Sequence, residues 1–169
     1  MFHDASQYPF AARLEQSWRD VRREVDALRP DDWFPWYDTG AYSGEWSICG
    51  VHAGEHAESA RLSPDVVRRC PVTVGLVRQI PGLRIAAFSR LGPGAMIHRH
   101  RDGGPRVLRC HLGIRVPAGC TFQVGETSVS WAEGRCLVFE TDAEHAAWNH
   151  SSEPRVVLMV EVDPPGDDA

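Results

Sequence analysis

The hydrophobic pattern changes its period about halfway along the chain. Residues 12–28, ARLEQSWRDVRREVDAL, put Leu14, Trp18, Val21, Val25 and Leu28 at helical spacing, with charges between them. A single apolar stripe of that length predicts an amphipathic helix, which Pro30 ends. Residues 31–50, DDWFPWYDTGAYSGEWSICG, mix aromatics with Gly and Asp and predict loop with short strands. In SPDVVRRC (63–70), Ser63 suits an N-cap and Pro64 the first helical position. A further short helical piece is expected over Val72–Gln79, stopped by Pro81 and Gly82.

From residue 83 onward the segments are short and rich in β-branched and aromatic residues. RIAAFSRL, AMIHRHRD, VLRCHLGIRV, CTFQVG, TSVSWAEG, RCLVFE, HAAWNH and RVVLMVEV follow one another, several separated by Gly or Pro. Close-set strands of this kind predict a sandwich or barrel. The expected fold is mainly β with N-terminal helices (α+β), a double-stranded β-helix of the jelly-roll, cupin-like type. The expected organisation is one domain over residues 1–169. Residues 1–82 form a helical and loop part on a jelly-roll core at 83–163.

Composition narrows the function classes. The chain is 43% hydrophobic and 24% charged, with a formal net charge of −5. An acidic balance argues against a nucleic-acid partner. There is no apolar run long enough to span a bilayer, and MFHDASQYPF lacks the basic-then-apolar order of a signal peptide. A cytoplasmic protein without a membrane partner, monomeric or homodimeric, is therefore expected. The five cysteines are scattered, with no CxxC, and read as buried reduced thiols.

The chemistry concentrates in MIHRHRDGG (96–104). On a strand, alternate residues share a face, so His98, His100 and Asp102 are expected to point one way and Arg99 and Arg101 the other. His145, in TDAEHAAWN, supplies a third ligand type from a distant segment. Two imidazoles and one carboxylate hold Fe(II) without saturating it, the pattern of non-haem oxygenases. Arg155 leads the apolar run RVVLMVEV, where a carboxylate partner would explain it better than burial. Arg109 and His111 lie two apart in VLRCHLGIRV and are expected to line a cavity, with Cys110 facing away.

These residues carry a family resemblance. RRCPVT, FSRLGPGAMIHRHRDG, LRCHLGIRVPAGC, WAEGRCLVFE, EHAAWNHSSEPRVVL and VDPP occur in order from about Arg68 to Pro165. The chain resembles the aspartyl/asparaginyl β-hydroxylases, Fe(II)- and 2-oxoglutarate-dependent oxygenases. The resemblance implies Fe(II) on His100, Asp102 and His145, with His100 rather than His98 as the first ligand. It also implies 2-oxoglutarate and O₂ as co-substrates, yielding succinate and CO₂. Arg155 would clamp the far carboxylate of 2-oxoglutarate, and Ser89, Arg109 and His111 would contact its carboxylates. His98 and Trp148 are the expected substrate contacts. Some animal members have glycine in place of Asp102; keeping the carboxylate resembles the bacterial hydroxylases and argues against a halogenase. These residues contain no helical-repeat segment, so the extended protein-substrate site of the animal members is not expected. The implied substrate is an amino-acid-type group, free, in a peptide or on a carrier.

Plainer readings stand beside this one. Arg109 and His111 would also serve an internal hydrogen-bond network, and Arg155 a structural ion pair. His52 and His56, four apart, would share one helix face at the surface or a cavity wall. The aromatics Trp33, Trp36, Tyr37, Tyr42 and Trp46 fit either a pocket wall or a local core. Trp131 and Phe139 read as packing. Arg99, Arg101, Arg106 and Arg115 fit either attraction of a substrate carboxylate or surface charges with no specific role. A non-catalytic cupin-like binding protein would keep the histidines without needing Arg155. A zinc hydrolase would need a general base, for which Glu144 is the one nearby acid.

Overall fold

The computed structural model describes residues 1–54, 61–103 and 106–164. The N-terminal third opens with β1 (Phe2–His3), then α1 (Pro9–Gln16) and α2 (Trp18–Asp26). The expected single helix is therefore two. Ser17 sits between them with non-helical backbone (φ −98°, ψ 5°), a break that the unbroken apolar stripe conceals. Next come β2 (Phe34–Pro35), β3 (Tyr42–Ser43) and β4 (Trp46–Ala53). Ser63 caps α3 (Pro64–Arg69) by accepting a hydrogen bond from the Val66 amide, and α4 (Pro71–Val77) follows. The remaining strands are β5 (Leu83–Leu91), β6 (Met96–His100), β7 (Leu108–Arg115), β8 (Cys120–Val124), β9 (Thr127–Val129), β10 (Cys136–Glu140), β11 (His145–Asn149) and β12 (Arg155–Val162). Each of the eight segments anticipated after residue 83 contains one of them.

The strands form two antiparallel sheets. The larger has the order β1-β10-β7-β12-β5-β4-β2, and the smaller β3-β6-β11-β8-β9. The fold is a jelly-roll in which strands from residues 1–82 enlarge both sheets; that region is more than helix and loop. No helix of the described residues is long and apolar enough to cross a membrane.

Strand alternation gives the large sheet two unlike faces. Cys110, Leu112, Ile114, Phe88, Leu158 and Val160 point to one side, where Leu14, Val21, Val25, Val66 and Val74 of the four helices cover them. The opposite face carries Arg109, His111, Ser89, Arg155, Met159 and Glu161 and looks toward the small sheet. There Ile97, Phe122, Val124 and Ala147 join Trp46, Trp131, Phe139 and Val157 in a second apolar cluster. All five cysteines are free and buried. Burial pushes the thiols of Cys49 and Cys70 up to about 12, so they behave as small apolar side chains.

Candidate functional site

The two histidines of the site face each other across the small sheet. His145 of β11 pairs directly with His100 of β6, and their rings lie 4.3 Å apart between centroids. Each imidazole Nδ1 meets a nearby backbone carbonyl: His98 O at 2.7 Å from His100, and Ala143 O at 2.9 Å from His145. With Nδ1 carrying the proton, each Nε2 is left as a lone-pair donor, the arrangement that orients metal-binding imidazoles. Asp102 lies just beyond the end of β6, its amide donating to Thr141 O at 3.3 Å. Its Oδ1 sits 3.4 Å from His100 Nε2 and 3.8 Å from His145 Nε2. One ligand atom from each of His100, Asp102 and His145 falls within 4.8 Å of the others.

The electrostatics suit a cation. Burial alone would raise the Asp102 carboxyl, but the His100 hydrogen bond and the Arg109 charge hold it well below the usual carboxylate range. His145 is pulled down to about 4, chiefly by burial, and is a neutral donor at neutral pH. His100 is raised by its hydrogen bond to Asp102, against its own burial. The donor set of two imidazoles and one ionised carboxylate fits a divalent transition metal.

His98 does not share the His100 face. In the pairing of β11 with β6, His145 lies opposite His100 but Ala147 lies opposite Ile97, an irregularity that places an extra residue in β6. Such a bulge shifts the alternation by one. Ile97 and His100 therefore both line the inner chamber. His98 is turned out to Ser43 Oγ at 2.8 Å and Gly40 O at 3.1 Å. Trp148, opposite Met96 of β6, does not line that chamber, whereas His145, Ala146 and Ala147 of β11 do. Neither expected substrate contact borders the chamber.

The inner chamber lies between the sheets and is bounded by the two histidines, Ser89, Arg109, His111, Phe122, Trp131 and Arg155. Arg155 is 1% exposed, and its Nε has no hydrogen-bond partner among the described residues. Its guanidinium stacks on Trp131 at 4.6 Å. Burial lowers it to about 10, which leaves it a cation at neutral pH. A buried guanidinium without a carboxylate costs several kcal/mol, so a structural ion pair does not account for it. Ser89 accepts from Trp46 Nε1 at 3.0 Å, and Trp131 Nε1 donates to His111 Nδ1 at 3.4 Å. Burial, then the charges of Arg109 and Arg155, keep His111 neutral. Trp131, read from sequence as packing, is thus the platform for Arg155.

Arg109 also reaches the chamber, but its hydrogen bonds go to carboxylates. Nη2 donates to Asp102 Oδ2 at 2.6 Å, and Nε to Glu161 Oε1 at 3.1 Å. Glu161 is not among the residues expected at the site. Its even spacing from Arg155 on β12 was the available signal, because it places a carboxylate on the same strand face.

An outer cleft of about 670 Å³ opens next to Asp102 and Arg109. Ile48, Ile85, Ala87 and Met159 line it together with Trp36 and Tyr37. Trp36 stacks on Trp46 at 4.3 Å and Tyr37 lies 5.0 Å from Trp36, so these aromatics wall the approach.

Several other expectations resolve at the surface. Arg99 pairs with Glu144, Arg106 with Glu140 and Arg115 with Asp26, while Arg101 donates to the Asp142 carbonyl. None of these arginines lines the inner chamber or the outer cleft. Glu144, held by Arg99, is a surface acid and not a general base for the site. His52 belongs to β4 rather than to a helix, and His56 lies outside the described residues.

Comparison with known proteins identifies the family and the fold. The sequence model of the Aspartyl/Asparaginyl beta-hydroxylase family matches residues 15–165. The ornithine lipid ester-linked acyl 2-hydroxylase of Rhizobium tropici is 32% identical over 94% of this chain and 59% of its own. The human aspartate beta-hydroxylase domain-containing protein 2 is 40% identical over 75% of this chain and 36% of its own. The chain thus spans less than two thirds of either relative. A prolyl-4-hydroxylase from Pseudomonas putida has the same fold, with a TM-score of 0.56 at 18% identity, covering 92% of this chain and 88% of that one. The chain belongs to the aspartyl/asparaginyl β-hydroxylase family.

Proposed function

We propose that the protein is an Fe(II)- and 2-oxoglutarate-dependent dioxygenase that hydroxylates an unactivated C–H bond. The observation that carries this reading is a two-histidine, one-carboxylate ligand set whose histidines share one chamber with the buried guanidinium of Arg155, which has no carboxylate partner among the described residues. A metal-binding cupin without catalysis has no use for that cation. Fe(II) with 2-oxoglutarate supplies the oxidising power from O₂.

The chain's own residues supply binding and exclusion. His100 and His145 offer Nε2, and Asp102 offers Oδ1. Arg155 takes the distal carboxylate as a two-point donor, kept flat by Trp131. The Ser89 hydroxyl, fixed by Trp46, offers a further donor beside it. Phe122, Trp131 and Phe139 keep the chamber dry, which strengthens the Arg155–carboxylate attraction. The chamber has only about 30 Å³ of free space, so admitting a five-carbon diacid requires its side-chain walls to move outward.

The substrate approaches through the outer cleft. Family membership suggests an amino-acid-type group. The cleft sets Ile48, Ile85, Ala87 and Met159 beside the charged Arg84 and Glu161, and this mixed lining, with the name of the Rhizobium relative, also favours an acyl chain of an amino-acid-derived lipid. Aerobic incubation with Fe(II) tests the reading. The protein is expected to convert 2-oxoglutarate to succinate, with the KM for 2-oxoglutarate raised at least about 100-fold in Arg155→Met, as expected when one partner of a buried charge pair is lost. Succinate formation that ignores this substitution would sink the proposal.

A further inference from the structure

We infer that Glu161 is a positioning residue for the metal site, acting through Arg109 on Asp102. The inference rests on the metal reading above and goes beyond it. Arg109 and Glu161 are direct cross-strand neighbours on β7 and β12. Both lie on the inward face of the large sheet, and each is only 13% exposed. The guanidinium binds Glu161 through Nε and Nη2, and the same Nη2 donates to Asp102 Oδ2. Asp102 stands past the end of β6, on a segment that lacks strand pairing. The Arg109 bond therefore holds its carboxylate from the opposite sheet. With Oδ2 engaged, Oδ1 is the oxygen left facing both imidazoles.

Charge gives Glu161 its second effect. Asp102, Arg109 and Glu161 together carry one net negative charge beside two histidines. Without Glu161, a buried cation would sit unbalanced next to the metal position and compete for Asp102. With Glu161 in place, one negative charge remains beside the two imidazoles. Arg109 also borders both the inner chamber and the outer cleft, so this role stands beside the co-substrate contact implied by the family resemblance.

Co(II) binding to the intact protein tests this without turnover. Titration calorimetry and the visible ligand-field spectrum are read for wild type and Glu161→Gln, alongside the melting temperature of each metal-free protein. Glu161→Gln is expected to bind Co(II) about 10–100-fold more weakly, the usual loss when a partner of a metal ligand is removed. Its spectrum should change as Asp102 is released from single-oxygen binding. The double variant Arg109→Gln/Glu161→Gln should regain part of the affinity, because the unbalanced cation is gone. Should Glu161→Gln not fold, Glu161→Asp keeps the charge at shorter reach and should fall between it and wild type. Wild-type affinity and spectrum in the Glu161 variant overturn the inference, even if its melting temperature falls. Failure of the wild type to bind Co(II) would overturn the metal reading itself.

Discussion

Arg155 is buried at a cost to stability that the proposed co-substrate contact would explain. Its guanidinium is buried, stacked on Trp131 and without a counter-charge among the described residues. Cation–π contact returns about 1–2 kcal/mol, less than the several that desolvation costs. Arg155→Met should therefore raise the unfolding free energy of the ligand-free protein by about 1–3 kcal/mol while removing carboxylate binding. Urea denaturation measures this; a loss of stability in the variant would mean that the arginine has a partner in the fold. The arginine was conspicuous in sequence because it opens an apolar strand. Its platform was not, since nothing in WAEG separates a stacking tryptophan from a core one.

Between elements, the small sheet turns on one irregularity and the large sheet on one close approach. The extra residue in β6 brings His100, and not His98, opposite His145. Strict alternation in HRHRD predicts otherwise, because a bulge depends on pairing with β11 and leaves no trace in β6 alone. The family resemblance chose His100 where periodicity could not. In the large sheet, a Cβ at Gly113 of β7 would collide with the Ala132 carbonyl. The Gly113 amide and carbonyl are also bonded to the 134–135 turn, at 3.0 Å to Arg135 O and 2.9 Å from Gly134 N. Gly113→Ala must push this turn, and Trp131 with it, off β7. The expected cost is about 2–3 kcal/mol, together with a changed tryptophan emission on 2-oxoglutarate binding. An alanine variant with wild-type stability and emission would show that the turn gives way freely. The short strands expected within residues 31–50 include the start of β4, but its length to Ala53 was hidden by the aromatic, glycine-rich approach, although SICGV is buried on both faces.

As a whole, the molecule is a jelly-roll with helices on one face of its large sheet and the site on the other. The strands after residue 83 were legible because each carries its own β pattern between turns. Before it, short strands were expected within residues 31–50 without bounds, and β1 was not expected, since β1, β2 and β3 are two-residue pieces defined by their partners. Burying two histidines in this sandwich gives the fold a pH dependence. Burial lowers His145 to about 4 and His111 well below its ordinary value. Below about pH 6.5 the unfolded chain takes up protons at both positions that the folded chain refuses. His100 is shifted upward, so its contribution is fully present below that pH and is lost only as pH rises. Stability of the metal-free protein should thus fall as pH drops from 6.5 toward 4, by up to about 1.4 kcal/mol per unit for each of the two histidines. Urea midpoints at pH 7, 6 and 5 measure the slope, and His145→Asn should remove one proton's share. A midpoint that holds or rises on acidification would contradict the burial of these rings as neutral groups.

The most direct measurement is the visible absorption of the anaerobic protein on adding Fe(II) and then 2-oxoglutarate. The account predicts a weak metal-to-ligand band that appears only with both, is lost in Arg155→Met, and gives way to succinate on admission of air. Tight Fe(II) binding with no band and no succinate would contradict it, and would leave a jelly-roll that holds a metal for some other purpose.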